Sequence, residues 1–376
     1  MFLSTNYFST TLLITGVTIG AGMLSLPYVF APLGTAFTIF CLLGLGLVML
    51  SLNLMIAEVA FALKKPLQLP GLAHAVLGRS VERFLTGIII VSWLGSLLAY
   101  IVGEGDVLSS LFGGSPFWWS IGFWLIASLV IMFGFTVAAR STRVVSGTVI
   151  VLLVGISLYA LSKANTLPVS FPLDTLHTAR AFGVALFALH GAPAIAVAHL
   201  MLSSDKKNFY RAVTFGSLIP VVVYILFTLA VVGVTGSATT QVATIGLGRY
   251  LGPGIAVLGA LAALGATLSC YLGIGTALRE TLAWDTHSSP LTATLIPLGV
   301  PLALFLLGVR DFSRVMGLVG GVLIAAEAII MVVVYIGAVN KGIVPRDHRI
   351  ARHPYVVGVP VIILCVIGAL GSLLGP

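Results

Sequence analysis

Residues 15–23 read Thr15-Gly16-Val17-Thr18-Ile19-Gly20-Ala21-Gly22-Met23, and Pro27 lies just beyond them. This stretch interrupts an apolar segment long enough to cross a bilayer, which takes roughly 20 residues as a helix. Gly20 and Gly22 allow backbone conformations that other residues resist. Backbone N–H and C=O groups freed by such a break find no partners in lipid, so the break must face protein or a wet cavity. The stretch therefore predicts a discontinuous membrane helix.

A second interruption lies in the middle of the chain, at Phe187-Ala188-Leu189-His190-Gly191-Ala192-Pro193. Pro193 has no N–H to donate and disturbs the turn that precedes it. The two interruptions are about 170 residues apart, which corresponds to five spans along the chain. Because five is an odd number, the second half would enter the membrane from the opposite side. Paired interruptions at matching positions of an inverted repeat indicate a transporter's binding site. In the alternative interpretation, the glycines only allow close packing and Pro193 only kinks a helix.

Apolar segments recur along the whole chain, and we count about eleven spans of roughly 20 residues each. They are predicted near 9–31, 34–62, 84–111, 117–138, 144–162, 178–202, 212–235, 253–279, 290–308, 315–339 and 356–374. The first five form one repeat (about 9–162), the next five an inverted second repeat (about 178–339), and one extra C-terminal helix (about 356–374) follows. The longest connector, 64–83, is expected to be a surface helix or loop. The sequence thus predicts an all-α integral membrane protein with a single transmembrane domain, 1–376.

Hydrophobic residues make up 59% of the chain and charged residues only 8%, against about 25% charged in a typical soluble domain. The mean hydropathy is +1.15. So few charges cannot cover a water-soluble surface, which excludes a soluble enzyme and a nucleic-acid-binding module. Cys41, Cys270 and Cys365 lie inside apolar stretches and suggest neither a disulfide nor a metal site. The expected partners are the lipid bilayer and a small molecule, with no cofactor beyond a transported ion and no nucleic acid.

The Lys and Arg residues are distributed unevenly between alternate connectors. With the N-terminus in the cytoplasm, about fourteen of them lie on the cytoplasmic side and about five on the opposite side, as the positive-inside rule requires. The N-terminus is therefore predicted to be cytoplasmic. The oligomeric state stays open, with a monomer as the working expectation.

Four stretches resemble motifs of the hydroxy/aromatic amino acid permeases, a family that includes bacterial tyrosine- and tryptophan-specific permeases. They are 16–27 at the first interruption, 187–193 at the second, 269–273 in the eighth span and 317–320 in the tenth. The family belongs to the amino acid/auxin permease branch of the APC superfamily, and the resemblance implies the LeuT-type 5+5 fold with discontinuous helices 1 and 6. It also implies import of an amino acid, in the first place tyrosine or tryptophan, by proton symport with alternating access in the bacterial inner membrane.

Three other functions were weighed against this one. A sodium-coupled neutral amino acid symporter is the nearest alternative. An ion channel would need a continuous polar pore or a ring of selectivity residues. A membrane-embedded enzyme would need a metal-ligand cluster or a nucleophile–base pair. The sequence displays neither of the last two patterns, so we expect a transporter and no enzyme.

The two interruptions offer binding groups for both charges of an amino acid. Free N–H groups at a half-helix start can hold its carboxylate, and free carbonyls can hold its ammonium. We expect the N–H groups around 20–22 and the carbonyls near Val17 and 187–188 to do so, with Ser96 and Tyr100 on one face of the third span. The predicted substrate-binding residues are Val17, Gly20, Ala21, Gly22, Ser96, Tyr100, Phe187, Ala188, His190, Gly191 and Ser269.

Three residues are candidates for proton coupling. A charged group near the bilayer centre costs about 2.5–3.5 kcal/mol on insertion scales, so Glu327 in the tenth span needs a reason to be there. His190 lies beside the second interruption, and histidine is the side chain that most readily gains or loses a proton near neutral pH. Glu104 is expected in an outer vestibule. In the alternative, Glu327 is a neutral tie between helices and His190 caps freed carbonyls.

A weaker prediction is a cation site facing the first interruption, at Gly16, Thr267, Ser269 and Cys270. A hard cation prefers several oxygen ligands, and a thiol such as that of Cys270 is a poor one. This composition favours protons as the coupling ion.

Overall fold

The computed structural model describes residues 7–65, 67–132, 135–164, 175–284, 288–346 and 349–374. All regular structure within these ranges is helical, and they contain no strand. The helices are α1 (Tyr7–Thr18), α2 (Gly22–Phe30), α3 (Thr35–Leu63), α4 (Leu69–Leu77), α5 (Arg79–Phe112), α6 (Pro116–Met132), α7 (Phe135–Leu161), α8 (Thr175–Ala188), α9 (Pro193–Met201), α10 (Lys206–Thr235), α11 (Ala243–Leu251), α12 (Pro253–Trp284), α13 (Pro290–Leu306), α14 (Phe312–Leu318), α15 (Ala325–Asn340), α16 (Arg349–Arg352) and α17 (Pro354–Leu374).

The described part of the chain contains 7 helices long and apolar enough to cross a membrane, or 8 if the bent pair at the N-terminus is one span. Three shorter apolar helices accompany them, at Pro116–Met132, Val145–Leu161 and Pro290–Leu306. The prediction of an all-α, multi-pass membrane protein is confirmed. The count of about eleven spans is reached only if the three shorter helices also cross, so that number stays a prediction, as do the boundaries of the repeats.

The first predicted break is present. Helix α1 ends at Thr18, α2 begins at Gly22, and the two are bent by 55°. The last carbonyls of a helix have no partners within it, so the bend leaves the carbonyls of Gly16, Val17 and Thr18 available to neighbouring helices. Both halves are buried on every side near the break.

The second break is present too, but it has a different shape. Helix α8 ends at Ala188 and α9 begins at Pro193, whose missing N–H costs nothing at the first position of a helix. The two halves stay close to one line, because Arg180–Met201 as a whole passes as a single span of 22 residues. Among the described residues, only the first break is bent by more than 40°.

The connector 64–83 contains a short helix, α4, which buries Leu69, Leu72 and Val76 on one side and exposes His74 on the other. The buried side packs against α5 and α15. Its expected place at the membrane surface stays a prediction. The predicted boundary between the fourth and fifth spans, at 139–143, was wrong, because these residues lie inside α7.

A π-helical turn, Val319–Ile324, separates α14 from α15 in the tenth span. Such turns are frequent at functional sites. Gly320 touches the Gly183 carbonyl and the Phe187 side chain of α8, so a Cβ there would collide with both. The turn therefore fixes how closely the tenth span approaches the second break, and α15 carries Glu327 from it into the centre of the bundle.

Candidate functional site

A small cavity lies between the two breaks. It is lined by Val17, Thr18, Gly20 and Gly22 at the first break, Phe187, Ala188 and His190 at the second, and Ser96, Tyr100, Ile274 and Ile324 from three other helical segments. The open space admits about one water molecule. The structure therefore describes a closed form of the protein, in which the walls of the cavity are already together.

Eight of the residues that the sequence predicted for substrate binding line this cavity, while Ala21, Gly191 and Ser269 do not. Three lining residues were missed, Thr18, Ile274 and Ile324. Ile274 follows Cys270 by one helical turn, so the face of the eighth span on which Cys270 lies could have been extended to it. Ile324 could not have been found this way, because the π turn changes the helical register before it.

The two breaks are in direct contact at Gly22. A Cβ atom on Gly22 would lie 2.6 Å from Cα of Ala188, which is closer than real side chains approach. Gly191 is similarly confined, since a Cβ there would lie 2.6 Å from Oγ1 of Thr18 and 3.3 Å from Nδ2 of Asn53. These glycines let the two broken backbones pack closely against each other. The geometry therefore agrees in part with both interpretations, that the glycines allow close packing and that the breaks line a site.

Tyr224 of α10 joins the two breaks and was missed by the sequence analysis. Its hydroxyl oxygen lies 2.8 Å from the carbonyl oxygen of Thr18 and 3.0 Å from that of Ala188. The one hydroxyl proton is thus shared between a carbonyl at the end of α1 and one at the end of α8. The sequence signal for it was weak: a polar tyrosine side chain one turn after Pro220, in a span that also contains Thr214, Ser217 and Thr228.

Helix α12 supplies the donors for the other free carbonyls of α1. The Ser269 hydroxyl donates to the Gly16 carbonyl at 3.0 Å, and the Cys270 thiol donates to the Val17 carbonyl at 2.9 Å. The eighth span therefore faces the first break, as its polar residues indicated. Of the predicted cation site, the structure brings Gly16, Ser269 and Cys270 together, but Thr267 lies elsewhere, against Glu104 of α5.

His190 and Glu327 form a buried pair. Nε2 of His190 lies 2.8 Å from Oε1 of Glu327, and the two side chains are only 3% and 2% exposed. Oε2 of Glu327 has no hydrogen-bond partner among the described residues. A pair that holds one proton between imidazole and carboxyl has no net charge, whichever atom carries it. A pair with one proton more or fewer has a net charge, which is expensive away from water.

Ser96, Tyr100 and Glu104 lie on one face of α5, but Glu104 is not in an open vestibule as expected. It is 0% exposed. Tyr100 packs edge-on against Phe187, with ring centroids 6.0 Å apart, and both rings line the cavity. Glu104 lies one turn beyond Tyr100 towards the Phe112 end of α5, so closure of this region buries it.

Comparison with known proteins agrees with the fold. The solved structure of MhsT in complex with L-phenylalanine matches with a TM-score of 0.74 at 15% identity, covering 97% of this chain and 98% of that one. The manganese transporter of Eremococcus coleocola matches with a TM-score of 0.73 at 14% identity, covering 98% of this chain and 87% of that one. At these identities the likeness is one of fold, which is LeuT-like.

Two curated relatives come from Haemophilus influenzae. Tyrosine-specific transport system 2 is 31% identical over 242 residues, which is 60% of this chain and 58% of the relative. Tyrosine-specific transport system 1 is 32% identical over 102 residues, 27% of this chain and 26% of the relative. The matched region thus spans less than two thirds of either relative.

The model of one protein family matches residues 4–369, nearly the whole chain. This match includes both helix breaks, the Tyr224 helix and the span that carries Glu327. The protein therefore belongs to the tryptophan/tyrosine permease family.

Proposed function

We propose that the protein imports an aromatic amino acid, tyrosine in the first place, together with protons, by alternating access across a bacterial inner membrane. The observation that carries the proposal is the buried His190–Glu327 pair, because His190 also lines the cavity between the two breaks. The family match and the two tyrosine-specific relatives support the choice of substrate. MhsT, solved with L-phenylalanine, has the same fold.

The ends of the half-helices would hold the charged part of the substrate. At the start of α2 the N–H groups of Met23 and Leu24 already donate to the carbonyls of residues 20 and 21, so the N–H groups of 20–22, at the positive end of α2, would meet a carboxylate. The carbonyl oxygens at the ends of α1 and α8, among them that of Ala188, suit an ammonium group. Tyr224 now donates to two of these carbonyls. An arriving ammonium group would compete with that hydroxyl.

The side chain of the substrate would lie among Ser96, Tyr100, Phe187, Ile274 and Ile324. These residues offer aromatic and aliphatic surface with a few polar atoms, which is the usual composition of a small-molecule site. Because the closed cavity admits about one water molecule, its walls must separate before an aromatic amino acid enters. This need for widening supports alternating access between open forms on either side of the membrane.

The His190–Glu327 pair would couple this movement to protons. In the closed form the pair is away from water and most stable with a single shared proton. When the cavity opens, water and the substrate charges reach His190, and the pair can gain or lose a proton at lower cost. A proton that binds on one side and leaves on the other is then carried along with the substrate.

Uptake of labelled amino acids into proteoliposomes tests the proposal. Tyrosine, tryptophan, phenylalanine, serine and alanine are compared under an inward proton gradient, an inward sodium gradient and no gradient. We expect accumulation of the aromatic amino acids with acid outside, and exchange of labelled tyrosine without net current. Accumulation driven by sodium and never by acid would overturn proton coupling. Net current without substrate would favour a channel.

The orientation is part of the proposal. The Lys and Arg bias supports a cytoplasmic N-terminus, which puts the Phe112 end of α5 on the outer side. Labelling of a single cysteine introduced at the exposed position Phe112, by a membrane-impermeant reagent applied to intact cells, checks this orientation. No labelling of intact cells, with labelling of inverted vesicles, would reverse it.

A further inference from the structure

Glu104 is a buried carboxyl group without a bonding partner. It is fully buried on α5, and neither of its oxygens has a hydrogen-bond partner among the described residues. The hydroxyl of Thr267, on the facing helix α12, is also buried and unbonded within the described chain, and it lies next to this carboxyl group. Two polar groups from different helices thus meet in an otherwise apolar place.

A carboxylate at this place would be an unpaired charge away from water, which proteins avoid unless a cation compensates it. The helices packed around this part of α5 bring no such cation close to it. Their titratable and charged residues, with those of α5 nearby and of the segment just before α14, are Tyr100, Asp106, Arg249, Tyr250, Cys270, Tyr271, Arg310, Asp311 and Arg314. Helices α6 and α13 contribute none. Arg249, Arg310 and Arg314 are exposed at the surface, and none of the three is bonded to Glu104.

The carboxyl group lies outside the cavity but close to it. Glu104 follows Tyr100 by one helical turn, which is about 6 Å along the axis. Of the α5 residues that line the cavity, Tyr100 is the nearer to the Phe112 end, and it packs against Phe187. When this side opens, water therefore reaches Glu104 before it reaches the cavity. When it closes, Glu104 loses its water and gains no cation that would compensate a charge.

We propose that Glu104, together with Thr267, is a second proton-binding site, which takes its proton from the outer side and must hold it for the outer side to close. The proton bound to one carboxylate oxygen removes the charge, and the Thr267 hydroxyl is placed to interact with the resulting carboxyl group. No covalent bond of the protein changes. The proposal rests on the proposed function only for calling the Phe112 end the outer side.

This proton is not carried across the membrane. The outer side stays closed while the inner side is open, so Glu104 remains buried and protonated during that part of the cycle. The proton returns to the outer solution when the outer side opens again. Glu104 therefore adds a dependence of the rate on external pH, whereas the His190–Glu327 pair sets how many protons accompany each substrate.

Reaction of Cys270 with a membrane-impermeant thiol reagent tests the proposal. Cys270 is buried beside Gly20, under Tyr100, so a reagent added outside reaches it only when the outer side is open. Cys41 and Cys365 are replaced by alanine to leave one thiol. The labelling rate is measured against external pH in this single-thiol protein and in its Glu104→Gln and Asp106→Asn variants. Asp106 serves as the control because it is a half-buried acid on another face of α5.

The quantity to compare is the Cys270 labelling rate of the single-thiol protein divided by that of its Glu104→Gln variant. We expect this ratio to rise with external pH, approaching tenfold per pH unit, which is the limit for one linked proton. Glu104→Gln also corrects for the reactivity of the thiol itself. Asp106→Asn should follow the single-thiol protein. A ratio that does not change with pH would overturn the proposal, and so would a Cys270 that is never labelled. If Glu104→Gln fails to fold, Glu104→Ala replaces it as the neutral variant.

The ratio of protons to tyrosine in proteoliposomes supplies the second readout. Glu104→Gln should keep the wild-type ratio, while its uptake rate depends less on external pH than that of the wild type; the remaining dependence comes from the His190–Glu327 pair. A ratio lower by one proton would mean that the Glu104 proton crosses the membrane, which contradicts the proposal. If the wild type carries no protons at all, the proposed function fails, and the Cys270 measurement still decides the role of Glu104.

Discussion

Nε2 of His190 lies 2.8 Å from Oε1 of Glu327, a contact between residues on different spans that are both sealed from water. One of them adjoins the second helix break and the other follows a π turn. The pair therefore ties the second helix break to the tenth span directly, through side chains.

Glu327→Gln should abolish accumulation and spare exchange. The amide keeps the size and a hydrogen bond to His190 but cannot bind the proton. The wild type, if it carries one proton per substrate, can accumulate tyrosine up to about tenfold per pH unit of gradient. The variant should reach equilibrium only, with counterflow at near the wild-type rate.

The matched control is Glu58→Gln. Glu58 is a buried glutamate of α3 that accepts a hydrogen bond from Tyr335 at 2.6 Å and does not line the cavity. The Glu58→Gln variant should keep most of the tyrosine accumulation of the wild type. Unchanged accumulation in Glu327→Gln would instead return Glu327 to the role of a structural tie.

Tyr224→Phe should loosen both breaks at once. The variant leaves the Thr18 and Ala188 carbonyls without this donor, and a buried polar group that loses its partner costs about 1–3 kcal/mol. We expect a lower melting temperature of the purified protein. Tyr250→Phe, at an exposed position of α11, is the control and should melt like the wild type. Equal melting of both variants would contradict the bridging role.

Gly22→Ala should disable transport through a collision. The new Cβ would lie 2.6 Å from Cα of Ala188, so the two breaks must move apart. Forcing a methyl group into a packed site costs about 1–3 kcal/mol. Gly44→Ala is the control, because a Cβ at that helical glycine meets nothing within 4 Å. Tyrosine uptake per folded molecule, with melting temperature, checks both, and normal uptake by Gly22→Ala would show that the closed contact is dispensable.

Gly321→Ala should act through the last helix. The added Cβ would collide with Ser372 of α17, which packs against the π turn and α8. Ser372→Gly removes the colliding atoms. The double variant should therefore recover stability lost by Gly321→Ala, with a coupling energy of about 0.5–3 kcal/mol in the melting data. Additive losses would mean that α17 moves aside instead.

The sequence predicted features that depend on local chemistry. The two breaks follow from glycine and proline at particular positions, and both are present. The face of α5 follows from helical periodicity, and Ser96 and Tyr100 line the cavity as a result. The membrane class follows from the scarcity of charge.

Other features depend on how helices are rotated against each other, and periodicity cannot supply that. His190 and Glu327 were separate candidates, and their contact appears only when α8 and α15 are packed together. The burial of Glu104 and the bridge made by Tyr224 are of the same kind. The π turn shifts the helical register within the tenth span, and no residue type in that stretch predicts a π turn.

The unequal shape of the two breaks has a mechanical consequence. The half-helices α1 and α2 form an elbow, already turned by 55° against each other, so each can tilt without first bending a shared axis. The joint at 189–192 is bent by less than 40°, and α17 packs against its α8 half, so a tilt there must first bend the axis that α8 and α9 nearly share. Under alternating access, the amino-terminal elbow would lead each stroke and the central joint would follow it.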